Sequence, residues 1–171
     1  GVVLGGIIIG RAASVFDGRH ATQAQFFGAQ ARGGQSHSEV VISDEPVDYP
    51  KVGRSDILVA MSQEALNTHI RRAKEGSIVL VDADLAPEVP DEEKFRVFKV
   101  PFVRIAQEEL ERRIVANIVM LGTMIGLEGV VSMEALKAAT RESVPERAID
   151  LNMQALDRGF ALAQELSVKS G

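Results

Sequence analysis

The residues best suited to binding chemistry lie between Gly28 and Ser43, in the segment GAQARGGQSHSEVVIS. Arg32 stands directly before Gly33 and Gly34, which can adopt positive φ at little steric cost and turn their backbone N–H groups toward one anion. The guanidinium of Arg32 would add a planar, bidentate donor for a carboxylate or phosphate. The same residues also suit a tight turn between two strands with an exposed arginine. Local chemistry leaves both interpretations open.

Other polar residues offer weaker candidates for a site. Asp82 and Asp84 directly follow an apparently parallel strand, the edge at which open α/β sheets bind ligands. They could contact a metal ion or a ribose, but we favour a solvated start of a loop. Asn117 interrupts an apolar helix, and its amide needs partners if buried. We expect it to tie that helix to a loop or subunit, with a direct ligand role as the alternative. Ser62 is interpreted as a helix N-cap, because no G-x-S-x-G elbow surrounds it.

The three histidines, His20, His37 and His69, are far apart in the sequence. None belongs to an H-E-x-x-H or cysteine–histidine ligand pattern. His37 is close to the paired glycines and could touch a ligand, but we expect a histidine on a strand surface. We therefore assign no catalytic residue and no metal ligand to this chain.

Composition excludes several classes of function. The 171 residues suffice for one domain, 1–171, with a sizeable core. The net charge is −5, and with no tryptophan, one tyrosine and no basic stripe we expect no nucleic-acid binding. The absence of cysteine excludes disulfides, thiolate zinc sites, a cysteine nucleophile and iron–sulfur clusters held by this chain's own thiolates. The apolar stretch 2–9 is too short to span a bilayer, and a cytoplasmic location is the default expectation.

Hydrophobic periodicity and turn residues predict an α/β chain. We expect helices at 2–16, 63–75 and 112–127, then one capped by Ser132 and a last one after a capping box at 143–146. Strands are expected at 21–27, 35–43, 56–61, 77–81 and 96–100, with an edge strand at 47–49. The strand–helix–strand unit at 56–81 implies parallel pairing. The predicted fold class is three-layer α/β/α with a mostly parallel or mixed sheet and a helical C-terminal part.

The chain resembles the gamma subunit of 2-oxoacid:ferredoxin oxidoreductases, the pyruvate-ferredoxin oxidoreductase gamma-domain family, and most of all its 2-oxoglutarate and related 2-ketoacid types. The resemblance rests on GVVLGGIIIGRAA, QAQFFGAQARGGQSHSEVVIS, VDYPKVGRSDILVAMSQEA, VDADL, RRIVANIVMLG and GLEGVVSMEALKAA. The most specific element is ARGG-x-S followed by SEVVIS. Members begin with a strand and a G-x-G-G-Q-G loop, of which only Gly1 corresponds here, so we expect both to precede the chain. Members often have a glutamate at the position of Gln30, so no ion pair with Arg32 is carried over.

The resemblance implies a subunit of an enzyme that makes acyl-CoA. In this family the complete complex decarboxylates a 2-oxoacid on thiamine diphosphate with magnesium. It passes electrons through iron–sulfur clusters to ferredoxin and transfers the acyl group to coenzyme A. The gamma subunit is then expected to contribute assembly and a surface facing coenzyme A, with no cofactor bound by this chain alone and no activity of its own.

The resemblance also implies partners and a functional surface. The partners would be the alpha, beta and ferredoxin-like delta subunits, in a hetero-oligomer. The surface would be formed by Gly28, Arg32, Gly33, Gly34 and Ser36, which would receive a phosphate of coenzyme A or hold a neighbouring subunit. The similarity leans toward 2-oxoglutarate, although ketoisovalerate and pyruvate enzymes have comparable gamma chains. A free-standing nucleotide-binding module with a regulatory or scaffold role is the alternative.

Overall fold

A computed structural model describes residues 2–27, 36–49 and 51–170 and divides the chain into two compact units. The helical unit comprises Gly1–Lys51 and Ala106–Gly171, and the sheet unit comprises Val52–Ile105. The helices are α1 (Val2–Arg11), α2 (Gln63–His69), α3 (Phe102–Glu109), α4 (Ala116–Leu127), α5 (Met133–Ser143) and α6 (Ile149–Lys169). The strands are β1 (His20–Phe26), β2 (His37–Ser43), β3 (Ser55–Ala60), β4 (Ala73–Asp82) and β5 (Arg96–Val100). The expectation of a single domain over residues 1–171 stays a prediction.

The helical unit begins with α1, which continues as a π-helical turn, Ala12–Phe16. The predicted helix over 2–16 is therefore confirmed, with its last five residues in the π form. A hairpin follows in which β1 and β2 pair antiparallel from His20 opposite Ser43 to Phe26 opposite His37. Both strands were predicted from the sequence and are confirmed. The edge strand expected at 47–49 is wrong, since these residues form no strand. Prolines at positions 46 and 50 flank this run and lack a backbone N–H, so the run cannot extend beyond three residues as a regular ladder.

Two glycine-containing helices form the centre of the helical unit. All residues of α4 from 116 to 125 are buried, as its apolar sequence predicts. It packs against α6 so closely that a Cβ atom on Gly126 would lie 2.5 Å from Cβ of Ala163. The predicted capping box at 143–146 is wrong. Ser143 belongs to α5 and its hydroxyl donates to the carbonyl of Ala139 at 2.7 Å, so it cannot cap the next helix.

The sheet unit contains three parallel strands in the order β3, β4, β5. Between β3 and β4, Ser62 caps α2 as predicted, its hydroxyl accepting from the backbone N–H of Ala65 at 3.2 Å. The predicted extent of this helix is wrong: α2 ends at His69, a 3₁₀ turn follows, and Gly76 lies inside β4 with φ 80°. A glycine with positive φ is equally typical of a helix end and of an irregular strand, and here the register of β3 and β4 shifts nearby.

These elements confirm the α/β class and the helical C-terminal part of the chain. Both faces of β4 are buried: Val79 and Val81 belong to one hydrophobic cluster, and Ile78 and Leu80, which alternate with them, are buried as well. The cluster consists of Ala60, Leu66, Ile70, Ala73, Val79, Val81 and Ala86. Burial of this kind on a parallel sheet explains its nearly continuous apolar strands. Within the residues that the structure describes, no helix combines the length and apolar character needed to cross a bilayer.

Candidate functional site

The predicted binding segment connects the two strands of the hairpin. Phe26 and His37 form the last pair of the β1–β2 ladder, so residues 27–36 join the strands at this end. Ser36 is exposed and belongs to no strand. Gly28, Arg32, Gly33 and Gly34 lie outside the described residues. The flanking strands are confirmed, and the choice between an anion site and a plain turn stays a prediction.

An aromatic pair closes the hairpin where this connection begins and ends. The rings of Phe26 and His37 are stacked with centroids 4.4 Å apart and an angle of 7° between their planes. Lys51 places its ammonium 5.9 Å from the centroid of Phe26, within the range of a cation–π interaction. His37 is a strand histidine, as the sequence predicts, but its ring packs on a cross-strand neighbour.

A carboxylate also adjoins the imidazole. Nε2 of His37 lies 3.7 Å from Oε1 of Glu39, whose side chain is only 10 % exposed. Protonation of His37 would turn this contact into an ion pair. Each ring of the stack therefore has a charged neighbour, Glu39 beside His37 and Lys51 over Phe26.

Two further aromatic side chains are exposed, one directly after β1 and one shortly before Lys51 in the chain. Phe27 is 73 % exposed and directly follows β1, and Tyr49 is 68 % exposed and lies two residues before Lys51 in the chain. Tyrosine and phenylalanine rings that remain exposed can pack on a ligand or on another chain.

Helix α1 supports the hairpin through a close approach that only glycine permits. A Cβ atom on Gly6 would lie 2.8 Å from Cβ of Ser38 and 2.9 Å from Nε2 of Gln23. Gln23 donates a hydrogen bond to the hydroxyl of Ser38 at 3.1 Å, which links the two strands on this face. The hairpin is therefore held from one side by α1 and at its end by the ring stack.

The expectation that Asp82 starts a solvated loop is wrong. Its side chain is fully buried, and its two oxygens accept backbone N–H groups of Asp84 at 2.9 Å, Leu85 at 3.1 Å and Val103 at 3.0 Å. These three donors compensate the buried charge. Asp84 makes a bidentate pair with Arg104, both distances being 3.0 Å. The two carboxylates are thus engaged within the protein, and Asp82 joins the end of β4 to the start of α3.

The remaining candidates do not converge on a metal site. His20 lies at the opposite end of the hairpin from His37, and Asn117 is buried on α4. Over residues 2–27, 36–49 and 51–170, no group of three or more His, Cys, Asp or Glu side chains is arranged to hold a metal ion.

Sequence reasoning missed Phe26, Glu39 and Lys51 as neighbours of the candidate segment. The missing information was the register of the hairpin. Once Phe26 is placed opposite His37, the alternation of strand side chains puts Glu39 on the same face as His37. The alternation of side chains in each strand was visible in the sequence. The register between the strands was not, because it depends on where each strand ends and the other begins.

The clearest electrostatic shift lies on the helices. Arg158 on α6 donates to Glu109 at the end of α3 with distances of 2.5 and 3.2 Å, and it lies 3.4 Å from Glu165. This hydrogen bonding lowers the pKa of the Glu109 carboxyl below its usual value, and it raises the pKa of Arg158. The pair joins two helices of the helical unit and has no role in the candidate site.

Comparisons with known proteins agree with one another. Residues 1–162 match the family described as pyruvate ferredoxin/flavodoxin oxidoreductase. The 2-oxoglutarate synthase subunit KorC of Methanocaldococcus jannaschii is 47 % identical over 167 residues, which cover 97 % of this chain and 89 % of that protein. The crystal structure of the gamma subunit of a keto/oxoacid ferredoxin oxidoreductase from Geobacter sulfurreducens PCA matches with a TM-score of 0.83 at 40 % identity, covering 95 % of this chain and 91 % of that one.

A larger protein shares the fold. The 2-oxoglutarate:ferredoxin oxidoreductase from Magnetococcus marinus, solved with 2-oxoglutarate, coenzyme A and succinyl-CoA bound, matches with a TM-score of 0.77 at 24 % identity. The match covers 95 % of this chain and 28 % of that one, and at this identity it shows the fold alone. Taken with the match over residues 1–162, the fold and the near-full-length relatives establish that the chain belongs to the pyruvate ferredoxin/flavodoxin oxidoreductase family.

Proposed function

We propose that this chain is the gamma subunit of a 2-oxoacid:ferredoxin oxidoreductase of the 2-oxoglutarate type. The complete enzyme would convert a 2-oxoacid, coenzyme A and oxidised ferredoxin into acyl-CoA, carbon dioxide and reduced ferredoxin. The observation that carries the proposal is the likeness, over nearly the full length of both chains, to a 2-oxoglutarate synthase subunit. The fold shared with a gamma subunit of the same class of enzyme supports it.

The composition of this chain does not fit the iron–sulfur clusters of the complete reaction. The chain has no cysteine, so it has no thiolate ligands for an iron–sulfur cluster. Among residues 2–27, 36–49 and 51–170, no three His, Cys, Asp or Glu side chains are grouped as metal ligands. The family resemblance implies that thiamine diphosphate, magnesium and the clusters are held by the alpha, beta and ferredoxin-like delta subunits, and we derive no step through them on this chain.

This chain would contribute a docking surface for coenzyme A at the end of the hairpin. Coenzyme A carries phosphates, which attract a guanidinium and backbone N–H groups, and an adenine ring, which packs on aromatic side chains. Arg32, Gly33 and Gly34 supply the first chemistry by sequence. Phe27, which is exposed, and Lys51, whose ammonium lies over the ring of Phe26, would supply an aromatic ring and a further cation. Binding here would hold the carrier while the acyl group is transferred in the companion subunits.

The subunit assignment is tested by co-expression with the three proposed partner subunits. We expect a stoichiometric complex that reduces ferredoxin in the presence of 2-oxoglutarate and coenzyme A, whereas the purified chain alone shows no turnover. Recovery of the chain without any stoichiometric partner would favour a free-standing module and contradict the proposal.

The role of the docking surface is tested by Arg32→Ala in the assembled complex. Loss of a charge-assisted hydrogen bond should raise the KM for coenzyme A by at least about tenfold, or impair assembly. Arg147→Ala is the matched control, because Arg147 is an exposed arginine on the turn before α6. An Arg32→Ala complex with unchanged KM for coenzyme A and unchanged assembly would overturn this part of the proposal.

A further inference from the structure

We infer that three arginines at the amino end of the parallel sheet form a docking surface for an acidic face of a companion subunit. This arginine cluster consists of Arg54, Arg71 and Arg72, all of them in the sheet unit. The inference rests on the proposed function, because it requires that the chain assembles with companion subunits. It adds the place on this chain and the chemistry of the contact.

Parallel strand pairing brings the cluster together. Ser55 and Ala73 are partners where β3 and β4 begin. Arg54 directly precedes the first of these residues and Arg72 the second, so the two arginines are neighbours at the same end of the sheet. The guanidinium of Arg72 also donates a hydrogen bond to the backbone carbonyl of Val52, which holds it beside the segment that leads into β3.

The donors of the cluster are largely available to another molecule. All three arginines are exposed. The neighbouring Lys74 is neutralised, since its Nζ lies 2.6 Å from Oδ1 of Asp56. In the part of the chain that the structure describes, by contrast, no hydrogen bond or ion pair engages the side chain of Arg54 or Arg71. Two guanidinium groups are therefore held at one edge without a carboxylate to neutralise them.

The charge of this end differs from that of the chain as a whole. Residues 52–56 and 71–75 together carry four basic and two acidic side chains, whereas the whole chain has a net charge of −5. Like charges held close together repel one another, and carboxylates of a partner relieve this repulsion. Guanidinium groups bind carboxylates in a bidentate manner, and arginine is enriched at protein interfaces. An acidic partner would be repelled by most of this chain and attracted here.

The end of a helix accounts for only part of the cluster. Arg71 and Arg72 lie on the 3₁₀ turn that follows α2, where basic side chains interact favourably with the last carbonyl groups. Arg54 precedes a strand and has no such role. A purely structural role therefore predicts that Arg71 stabilises the chain and that Arg54 does not affect assembly.

Charge reversal in the co-expressed complex tests the docking surface. Arg54→Glu combined with Arg71→Glu should raise the apparent Kd for the companion subunits at least about tenfold, because two attractive contacts become repulsive. The matched control is Arg113→Glu combined with Arg147→Glu, which makes the same charge change at two exposed arginines of the helical unit and should leave assembly unchanged. Urea unfolding of each purified chain reports separately on stability.

The urea midpoint distinguishes docking from a structural role. Removal of two repelling charges should leave the midpoint of the isolated chain unchanged or raise it. If charge reversal lowers the midpoint, Arg54→Gln combined with Arg71→Gln decides, because it removes both charges without adding acidic groups. Weaker assembly of a normally stable glutamine variant would support the inference.

Three outcomes would overturn the inference. Equal assembly of the wild type and the charge-reversed variant would overturn it alone, since the companion subunits would still be bound. Normal assembly with a raised KM for coenzyme A would assign the cluster to a phosphate ligand instead of a protein. Failure of the wild-type chain to bind any companion subunit would overturn the proposed function together with this inference.

Discussion

Gly159 on α6 and Thr123 on α4 bring the backbones of their two helices into direct contact. A Cβ atom on Gly159 would lie 2.8 Å from the backbone nitrogen of Thr123 and would overlap the carbonyl oxygen of Val119. Backbone atoms cannot give way as a flexible side chain can. The packing of α4 on α6 in the helical unit therefore depends on a residue without a side chain.

Gly159→Ala should consequently destabilise the protein, even though alanine is the better helix former. Overpacking of a tight core typically costs about 1–3 kcal/mol, which exceeds the gain in helix propensity of up to about 1 kcal/mol. The matched control is Gly10→Ala in α1, where a Cβ atom would meet nothing within 4 Å. Urea unfolding should show a lower midpoint for Gly159→Ala and an equal or higher one for Gly10→Ala. Equal midpoints for the two variants would contradict the backbone contact.

The hydrogen-bonded pair of Arg158 and Glu109 predicts a dependence of stability on pH. The pair lowers the pKa of Glu109 below its usual value near 4.5, so the folded state binds the proton less readily than the unfolded state. The contribution of the pair to the free energy of unfolding is complete at pH values above the usual pKa of Glu109. It is lost as the pH falls through the lowered pKa of the folded state. Glu109 is partly exposed, so we expect a contribution of less than about 1 kcal/mol.

Glu109→Gln should abolish this part of the pH dependence. Unfolding in urea should show the variant less stable than the wild type at neutral pH, with the difference vanishing in acid. Glu108→Gln is the control, since Glu108 is an exposed neighbour on the same helix. A difference between Glu109→Gln and the wild type that persists unchanged into strong acid would show that the ion pair is not its source.

Substitution of the buried Asp82 should destabilise the protein more than loss of the pair of Arg158 and Glu109. The carboxylate of Asp82 accepts three backbone N–H groups, one of them from Val103 at the start of α3. Asp82→Asn would point an amide donor at one of these donors and leave it unsatisfied, which typically costs about 1–3 kcal/mol. Asp84→Asn, which alters only an exposed pair with Arg104, should cost less than about 1 kcal/mol. Unfolding midpoints that rank the two variants in the reverse order would argue against this role of Asp82.

Much of the fold could be predicted because several elements carry an unambiguous local pattern. The strand at 96–100 ends at Pro101, and the apolar run after 55 ends at Ser62, a good N-cap, so their boundaries followed from short-range chemistry. The prediction that Gly76 ends a helix was wrong, because a glycine with positive φ fits either the end of a helix or an irregular strand. Only the buried pairing of Ala73 with β3 decides between them.

Sequence chemistry can nominate a candidate site only where the site depends on neighbouring residues in the chain, and the nominated residues stay a prediction. Arg32, Gly33 and Gly34 stand out because three residues with complementary chemistry are adjacent. The burial of Asp82 was not accessible, because one of its three donors, Val103, is far along the chain. Prediction of the stack of Phe26 on His37 likewise requires the exact register of β1 and β2, which the sequence does not define. Contacts between distant segments, rather than residue types, were the missing information.

Tyr49 provides a direct optical test of the proposed docking surface. It is the single tyrosine of a chain without tryptophan, it is 68 % exposed, and it lies two residues before Lys51. A phosphate-bearing ligand or a partner subunit bound beside Lys51 should change the solvation of this ring and therefore its fluorescence. Titration of the purified chain with coenzyme A should give a saturable change in emission, and Tyr49→Phe should remove the signal.

Two comparisons make that measurement specific. Dephospho-coenzyme A lacks one phosphate group and should bind more weakly if cations dominate recognition. Arg32→Ala should shift the titration midpoint to higher coenzyme A concentration, since Tyr49 still reports on the site while one cation is lost. Emission that stays constant up to millimolar coenzyme A, yet changes on mixing with partner subunits, would assign this end of the hairpin to subunit contact instead of coenzyme A binding.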